Sequence, residues 1–427
     1  MRSNPRFASI YFFDMIDFMN ETEADRKADT EEVPDRGEHT FLMEPLTISQ
    51  SSPQRTALTD LALELTQRAT AFRKSLPDGV MTALADLVRS MNCYYSNLIE
   101  GHDTHPIDIE RALKNDYSAD PAMRTLQLEA KAHITVQRWI DEGGSNGRAF
   151  TVDGIRELHQ RFCEQLPDEM LSVTFGSTGE QVRVVPGAYR TRYVQVGRHI
   201  PVSPGAVPRF MERFEQGYTQ LGRTDTILAS ASAHHRLAWI HPFTDGNGRV
   251  IRLMSYAVLR ETLDTGGVWS IARGLARNVE EYKRHLAACD QPRRNDLDGR
   301  GNLSEEALAA FVDFFLRTCI DQVAFMEDLV QPERLRTRML LWAEEEIKLD
   351  NLPAKAGSVL EAILYRGAVP RGDVPEIVGT GPRQARRIVS ALIEKGVVIS
   401  PSSRAPLRLS LPATLASRFT PGLFPEK

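Results

Sequence analysis

Apolar residues recur at three- and four-residue spacing along most of the chain after about residue 54. Leu58, Leu61 and Leu65 follow this spacing, and so do the apolar residues between 84 and 91. Because the α-helix has 3.6 residues per turn, such residues share one face and can be buried together. The same spacing predicts helices over residues 120–142, 152–165, 208–221, 226–240, 249–263, 278–289 and 304–329.

Residues 182–200 have a different pattern. The segment Val182-Arg-Val-Val precedes the turn-forming pair Pro186-Gly187, and the β-branched or aromatic residues Tyr189, Tyr193, Val194 and Val196 follow it. This composition around a turn predicts a short β-hairpin. Residues 290–303 are polar and contain glycine and proline, which predicts a loop. The first two thirds of the chain are therefore predicted to be mostly α-helical with one small β element.

Residues 1–45 are a poor candidate for a packed fold. From Glu21 to Glu38 there are eight acidic and three basic residues and few apolar ones. Segments of this composition bury too little apolar surface to offset the entropy lost on ordering. We therefore expect a flexible acidic arm at this end.

The overall composition narrows the class of protein. A chain of 427 residues predicts two or three domains, and its net charge of −5 argues against a surface that is basic throughout. The four cysteines lie far apart without a C-x-x-C pair, so neither a zinc site nor a disulfide framework is predicted. His234 and His235 lie in an apolar helix and are interpreted as packing or hydrogen-bonding residues. No apolar run approaches the roughly 20 residues of a membrane helix, and we expect a cytoplasmic protein.

The last part of the chain differs in charge from the rest. Residues 355–412 contain nine Lys or Arg and four Asp or Glu, a local charge of +5 that leaves −10 elsewhere. The pattern gives, in order, a helix (355–366), a short helix (371–378), a longer helix from Gly381-Pro382 to Lys395, and apolar strands at 397–399 and 407–411. Proline at a helix start, glycine at its end and a following two-stranded ribbon predict a C-terminal winged helix-turn-helix domain.

The segment with the clearest chemistry is Ile240-His-Pro-Phe-Thr-Asp-Gly-Asn-Gly-Arg-Val-Ile-Arg252. Two glycines around Asn247 allow backbone N–H groups to turn towards one point and form an anion-binding nest. The nest leads into an apolar helix, whose positive N-terminal end also attracts phosphate.

Charged side chains around the nest suit the same ligand. Arg249 and Arg252 lie in the first turn of that helix, where the dipole opposes cations, so their placement predicts a bound anion. Asp245 is a hard oxygen ligand suited to Mg²⁺, and His241 can act as a base near neutral pH. Each of these features alone is more often structural. Their combination within a single loop and helix start predicts a phosphoryl- or nucleotidyl-transfer site.

Residues 241–252, HPFTDGNGRVIR, match without departure the signature H-x-F-x-(D/E)-G-N-G-R-x-x-R of the Fic (filamentation-induced-by-cyclic-AMP) family, which the chain resembles over most of residues 80–330. The resemblance implies a Fic-type helical core with a small β-hairpin flap. Family members mostly transfer AMP from ATP to a Ser, Thr or Tyr hydroxyl of a target protein. The resemblance therefore implies a protein adenylyltransferase that uses ATP and Mg²⁺ and acts on an unidentified target protein or on itself.

The resemblance also implies roles for individual residues. His241 would deprotonate the target hydroxyl, and Asp245 would hold Mg²⁺. Contacts to the nucleotide are implied for the rest of the motif, for the flap that clamps the target, and for the adenine pocket: Gly246, Asn247, Gly248, Arg249, Arg252, Val196, Gly197, Arg198, His199 and Tyr282. Asp290 is a departure, because some relatives have Asn at this position, eight residues after the tyrosine.

A second signal, Ser96-Asn-Leu-Ile-Glu-Gly101, resembles the family's inhibitory motif (S/T)-x-x-x-E-(G/N). Ser96 and Glu100 are four residues apart on one helical face, and Gly101 suits the end of a helix. The helix dipole disfavours a carboxylate there, so Glu100 is expected to have a cationic partner. The resemblance implies that Glu100 enters the ATP site and pairs with Arg252, which removes the clamp on the γ-phosphate. The motif precedes the core, as in the class with an N-terminal inhibitory helix.

We divide the chain into a flexible acidic arm (1–45), N-terminal helices with the inhibitory motif (46–115), a Fic catalytic core (116–330), and a linker helix with the winged helix-turn-helix domain (331–427). The start of the recognition helix contains four candidates for DNA contacts, Arg383, Gln384, Arg386 and Arg387. A homodimer interface or a docking site for the target is the alternative use of this domain. Two alternatives to AMP transfer stay open: removal of AMP by the same site, and a DNA-binding regulator whose Fic core senses nucleotide.

Overall fold

A computed structural model describes residues 33–175 and 179–425. Its first helices are α1 (Arg55–Ser75), α2 (Asp78–Ile99), α3 (Pro106–Leu113), α4 (Pro121–Asp141), α5 (Val152–Cys163), α6 (Val207–Tyr218), α7 (Arg223–Ile240) and α8 (Asn247–Leu263). They are followed by α9 (Ala272–Arg277), α10 (Val279–Cys289), α11 (Glu305–Leu329), α12 (Pro332–Lys348), α13 (Ala356–Arg366), α14 (Val374–Val378), α15 (Pro382–Glu394) and α16 (Ala416–Phe419). The strands are β1 (Ser172–Thr174), β2 (Gln181–Arg183), β3 (Ala368–Val369), β4 (Val398–Ile399) and β5 (Leu407–Leu409).

The prediction of a mostly α-helical protein with a small β element is confirmed. Local signals explain where several helices begin. The side chain of Thr151 accepts a hydrogen bond from Gly154 N–H (3.0 Å) and caps α5. Asp120 caps α4 in the same way, with Pro121 at the first helical position. Because these signals lie within a few residues of the helix end, the sequence reveals them directly.

The position of the predicted hairpin is corrected by the structure. The antiparallel pair is β1 with β2, which uses residues 172–174 and 181–183, and only the second strand enters the predicted range 182–200. The turn at Pro186-Gly187 is present, since Ala188 N–H donates to Val185 O (3.0 Å). The backbone beyond it does not return to β2, because it is bound elsewhere: Arg156 Nε donates to Gly187 O (2.9 Å) and Arg190 N–H donates to Pro242 O (2.9 Å).

The predicted flexible arm, residues 1–45, is corrected for its last part, while residues 1–32 lie outside the described residues. Asp35 and Glu38 contact Arg209, and Glu38 also accepts a hydrogen bond from Ser203 N–H (2.8 Å). Glu44 pairs with Arg213 (2.6 Å). The acidic side chains that suggested a solvated segment therefore hold residues 33–45 against the basic face of α6.

The described chain packs as two compact units. The first contains residues up to 59, 145–258 and 280–314, and the second contains residues 60–144, 259–279 and those from 315 onwards. The units interleave along the chain and do not coincide with the segments predicted from the sequence, whose boundaries stay a prediction.

In the second unit, α2 is held along its length. It packs against α3, α4 and α9. The side-chain amide of Asn92 donates to Gln137 Oε1 (2.7 Å) and its oxygen accepts from Ser270 (2.6 Å). Near its end, Tyr95 Oη donates to Leu423 O (2.9 Å), and the ring of Tyr94 meets that of Phe424 edge-on at 5.7 Å. The helix that bears the predicted inhibitory motif is thus fixed by polar contacts as well as by burial.

The part of the second unit from α13 to β5 has the order helix, strand, helix, helix, strand, strand. Its three strands form an antiparallel sheet in the order β3-β5-β4. The buried residues of α15, Ala385, Ile388, Val389 and Leu392, face the core of this module. The order of elements is the one expected for a winged helix-turn-helix domain, which stays our proposal for this module. Among the described residues, none of the helices combines the length and the apolar character needed to span a membrane.

We predict that Gly79→Ala destabilises the protein although alanine is the better helix former. Gly79 lies in the first turn of α2, and an added Cβ would overlap the backbone of Gly367 after α13. Overpacking of this kind costs about 1–3 kcal/mol, more than the gain in helix propensity. Chemical denaturation would measure the difference. Gly372→Ala, where an added Cβ meets nothing within 4 Å, is the control, and equal stability of the two variants would contradict the packing argument.

Candidate active site

The loop between α7 and α8 contains the motif residues 241–246. His241 ends α7 in the left-handed conformation (φ 50°, ψ 63°), and its N–H donates to Leu237 O (3.0 Å). This conformation costs a residue other than glycine roughly 1–2 kcal/mol, so neighbouring contacts must hold it. The turn it makes directs the chain away from the helix axis and towards the start of α8.

The side chain of Asn247 closes this loop. Its Oδ1 accepts a hydrogen bond from Phe243 N–H (3.0 Å), and its Nδ2 donates to Phe243 O (2.8 Å). Asn247 is 3% exposed and Phe243 is fully buried. A side-chain amide has a separate acceptor and donor atom, so it can accept from the N–H and donate to the carbonyl of one residue. Asn247 therefore acts on the loop through its side chain, and only its backbone faces a ligand in the nest.

Helix α8 begins directly at the nest. Gly246 has a positive φ of 78°, and the first hydrogen bond of the helix joins Val250 N–H to Gly246 O (3.0 Å). The amides of Asn247, Gly248 and Arg249 precede that bond, in the turn where helix N–H groups have no partner within the helix. This end of the helix is electropositive and suits a phosphate group.

Both motif arginines are buried. Arg249 is 6% exposed and Arg252 is 3% exposed. The guanidinium of Arg249 lies over the ring of Phe162 at 5.4 Å, which supports it from one side. Two buried cations at the positive end of a helix raise the local potential, and a bound polyphosphate would relieve that repulsion.

His159 on α5 supports the loop, although it lies outside the motif and was not among the predicted site residues. Its Nδ1 accepts a hydrogen bond from Gly187 N–H (2.9 Å), so the proton is on Nε2, which donates to Asp245 O (3.2 Å). Its ring stacks on Phe243, with centroids 3.9 Å apart and planes 2° from parallel. Burial lowers the pKa of His159 to about 4 and keeps it neutral. The signal in the sequence was its place on the apolar face of α5, beside Ile155, Leu158 and Phe162.

Arg190 contacts the other end of the loop and was also missed. It is 2% exposed, and its Nε donates to His241 O (2.8 Å). Burial lowers the pKa of Arg190 to about 10, so it stays charged at neutral pH. No local pattern marks this residue, because the loop carbonyls it contacts, those of Ile240 and His241, lie about fifty residues away in the sequence.

His234 and His235 are buried and hydrogen-bonded, as we predicted. The hydroxyl of Ser255 donates its proton to Ile251 O (3.0 Å), so in the hydrogen bond between Ser255 Oγ and His234 Nδ1 (2.8 Å) the histidine is the donor. Because the other nitrogen of a neutral imidazole is an acceptor, His234 Nε2 accepts from Tyr282 Oη (2.7 Å). Burial, with a smaller effect of Arg252, lowers the pKa of His234 to about 3. The neutral imidazole thus connects Tyr282, the predicted adenine-pocket residue, to Ser255 in the middle of α8.

The departure at Asp290 is explained by a neighbouring histidine. Asp290 Oδ1 accepts a hydrogen bond from His235 Nε2 (3.0 Å), while His235 Nδ1 accepts one from Arg236 (2.7 Å). Burial lowers the pKa of His235 to about 4. The carboxylate at this position therefore has a structural partner.

The flap residues form a tight turn. Val196 and His199 make an antiparallel bridge, with hydrogen bonds of 2.9 and 3.0 Å between their backbones, and Gly197 and Arg198 form its exposed tip. His199 Nε2 bonds to Trp239 O (2.7 Å) near the end of α7. Gly197 has a φ of 61°, which favours glycine at the tip.

Asp245 is exposed at the mouth of the loop. Among the described residues, no group of three or more histidine, cysteine, aspartate or glutamate side chains could hold a metal ion. Mg²⁺ is commonly held by one or two carboxylates together with substrate phosphates and water. A single exposed carboxylate beside a phosphate-binding helix end is compatible with that ion.

The predicted inhibitory residues belong to the second unit. Glu100 is the C-cap of α2, and Gly101 follows with a positive φ of 85°. Ser96 is fully buried one turn earlier. The predicted end of the helix is therefore present, and the pairing of Glu100 with Arg252 stays a prediction.

Residues 149–259 match the profile of the Fic/DOC family, and this match spans α5, α6, α7 and the loop at His241. This part of the chain is therefore similar to a Fic domain. A solved structure of a Fic family protein from Desulfovibrio desulfuricans G20 is similar in fold, with a TM-score of 0.50 and 17% identity over 85% of this chain and 98% of that one.

Two curated relatives share the name Protein adenylyltransferase Fic. The chain is 30% identical over 176 residues to the one from Nematostella vectensis, which covers 39% of this chain and 36% of the relative. It is 41% identical over 168 residues to the one from Drosophila mojavensis, which covers 39% of this chain and 30% of the relative. The matched part thus spans about a third of the length of these relatives.

We predict that the free energy of unfolding falls as the pH drops from about 6.5 towards 4. The unfolded chain takes up protons on histidines in this range, whereas the lowered pKa values of His159, His234 and His235 keep them neutral in the folded protein. Their contribution is therefore complete above the unfolded pKa and is lost on acidification, by roughly 1.4 kcal/mol for each unit of pKa shift.

Thermal unfolding between pH 4 and 8 measures this dependence. His159→Phe removes one titrating group, so its stability should fall less steeply than that of the wild type below pH 6.5. At pH 8 the histidine is neutral in both the folded and the unfolded chain. The difference in stability between the two proteins at this pH therefore measures the packing and hydrogen bonding lost in the variant. Equal slopes for the two proteins would show that His159 does not titrate in the expected range.

Proposed function

We propose that this protein is a protein adenylyltransferase, which transfers AMP from ATP to a hydroxyl side chain of a target protein or of itself. The observation that carries the proposal is the complete motif 241–252 in one loop and helix start, with His241 at the turn and the electropositive end of α8 directly after it. The shared name of the curated relatives supports the same activity.

In the proposed reaction, His241 accepts the proton of the target hydroxyl while the oxygen attacks the α-phosphorus of ATP. A new P–O bond forms to the target, the bond from the α-phosphorus to the bridging oxygen breaks, and pyrophosphate leaves. General-base catalysis of this type contributes on the order of 10²–10⁴-fold. The buried groups behind the loop would hold the backbone of His241 in place during the reaction.

The remaining motif residues bind and neutralise the triphosphate. The amides at the start of α8 and the guanidinium of Arg249 are assigned to the α- and β-phosphates, and Arg252 is assigned to the γ-phosphate. Asp245 would hold Mg²⁺, which supplies charge neutralisation of the phosphates when bound. Tyr282 is assigned to the adenine pocket, and the flap tip from Val196 to His199 is assigned to the target backbone by strand addition.

We further propose that Glu100 inhibits this activity by pairing with Arg252, so that the γ-phosphate loses its clamp. The position of Glu100 at the end of α2 supports the proposal. The helix dipole disfavours a carboxylate at this end, so a cationic partner would stabilise it. The many contacts along α2 would keep the carboxylate from moving aside.

We expect Glu100→Gly to raise self-labelling from α-³²P ATP in the presence of Mg²⁺, because the inhibitory carboxylate is removed. Adding His241→Ala to that variant should lower the labelling by on the order of 10²–10⁴-fold, since the general base is lost. Glu142→Gly is a matched control, because Glu142 also caps a helix of the second unit and is followed by a glycine of positive φ.

The outcomes separate the proposals. Equal labelling by the wild type and Glu100→Gly would remove the inhibitory role and leave the catalytic one. Labelling by Glu100→Gly that disappears when unlabelled ATP is added, with release of AMP, would show that removal of AMP competes with its transfer. Absence of label in every variant, with and without candidate target proteins, would contradict the adenylyltransferase itself.

We propose a cytoplasmic location as well. The four cysteines are buried and form no disulfide in the described residues. Burial raises the pKa of the Cys163 and Cys289 thiols to about 12, which keeps them protonated and unreactive.

Binding of duplex DNA by the module from α13 to β5 is a second proposed function. Arg383, Arg386 and Arg387 are exposed in the first two turns of α15, Gln384 is partly exposed between them, and none of the three arginines forms an ion pair with the described residues. Exposed arginines at the start of a second helix of a helix-turn-helix suit the major groove and its phosphates.

We expect replacement of these three arginines by alanine to weaken binding of a fluorescent duplex. The slope of log affinity against log salt concentration should become shallower by about 2 to 3, because each phosphate contact contributes roughly 0.9. Replacement of Arg68, Lys74 and Arg124, which removes the same charge from other exposed positions of the second unit, should leave the slope nearly unchanged. Unchanged DNA binding with an altered sedimentation coefficient would instead support a dimer interface.

A further inference from the structure

Arg190 is a buried guanidinium whose side-chain hydrogen bonds in the described residues go to backbone carbonyl oxygens. It is 2% exposed. Nε donates to His241 O (2.8 Å), Nη1 donates to Arg192 O (3.1 Å), and Nη2 donates to Val202 O (2.5 Å). A longer contact joins Nη2 to Ile240 O (3.5 Å). A buried charge is costly unless several groups satisfy it, and here the main chain of two loops does so.

These carbonyls belong to two segments that the reaction requires. Ile240 and His241 are the end of α7 and the start of the catalytic loop, and Arg190 N–H also donates to Pro242 O (2.9 Å). Arg192 and Val202 lie on either side of the flap turn at 196–199. One residue therefore fixes three consecutive peptide groups of the loop and both ends of the segment that contains the flap.

His241 depends on such contacts more than other loop residues do. Its left-handed conformation is unfavourable for a residue with a side chain. Rotation of its peptide towards an ordinary conformation would swing the imidazole away from the attacking oxygen. A general base must lie within hydrogen-bonding distance of the proton it accepts, so small rotations of this peptide affect catalysis strongly.

We propose that Arg190 is a positioning residue for the general base: it holds the peptide of His241 in the left-handed conformation and fixes the flap to the same loop. This role rests on the proposed AMP transfer. The proposed role depends on the shape of the guanidinium as well as on its charge. The planar guanidinium has donors in several directions, whereas a lysine ammonium is a compact point charge that cannot reach all of these carbonyls.

The experiment compares Arg190→Lys with Arg236→Lys, both in the Glu100→Gly protein. Arg236 is a suitable control because it is equally buried in the same unit and also donates to a backbone carbonyl, that of Pro45, but does not contact the loop. We expect Arg190→Lys to lower kcat for self-labelling by about 10²-fold, the effect of a displacement of about 1 Å at a reacting group. The KM for ATP should stay within twofold, and the Tm should fall no more than in Arg236→Lys.

Arg190→Gln and the matched control Arg236→Gln are compared by NMR of the imidazole of His241, assigned through its loss in His241→Ala. This readout does not require AMP transfer. Arg190→Gln should move the ring resonances of His241, because the peptide of His241 loses the donor that holds it, whereas Arg236→Gln should leave them unchanged.

A kcat of Arg190→Lys within threefold of its parent would overturn the proposal, and so would equal losses of kcat in the two lysine variants. Unchanged His241 resonances in Arg190→Gln would overturn it independently. If the Glu100→Gly parent itself transfers no AMP, the proposed function fails, and the NMR comparison still decides whether Arg190 positions His241.

Discussion

The structure of the site depends on one constraint. The peptide groups between α7 and α8 need hydrogen-bond partners on the side of the loop that faces the protein interior, so that the N-terminal end of α8 is left open to a ligand. A loop that presents amides on one side turns carbonyls to the other, and buried carbonyls need donors. Arg190 supplies donors at His241, and His159 supplies one at Asp245. Asn247 joins both peptide groups of Phe243. The conformation is thus set by three side chains behind the loop.

The charges around this loop follow from the same burial. Histidine loses its proton easily when it is buried, and His159 and His234 are neutral for that reason. Arginine does not, so Arg190, Arg249 and Arg252 bring fixed positive charge into the interior. Asp245, the carboxylate assigned to the metal, is exposed. Because the buried arginines stay charged and the buried histidines are neutral, the site favours the binding of a polyanion from solution, such as a nucleoside triphosphate.

The sequence predicted those parts of the fold and site that depend on neighbouring residues. Helix ends, the nest glycines and the cap at Glu100 are local features, and a pattern of a few residues is enough to reveal them. The supports of the loop are not local. Arg190 reaches His241 across 51 positions, and His159 reaches Asp245 across 86. The predicted position of the hairpin was wrong for the same reason, because partners that are distant in the sequence bind the backbone from Gly187 onwards.

Composition was misleading where charge pairing decides the outcome. The acidic residues of 33–45 resemble those of a solvated arm, yet Asp35 and Glu44 have arginine partners more than 160 positions later.

The end of α2 also depends on a residue that is distant in the sequence, because Tyr95 bonds to Leu423 across 328 positions. The position of Glu100 is therefore determined by residues that neither its own motif nor the Fic signature includes. A short inhibitory motif can identify the carboxylate, but the rest of the second unit fixes where that carboxylate lies.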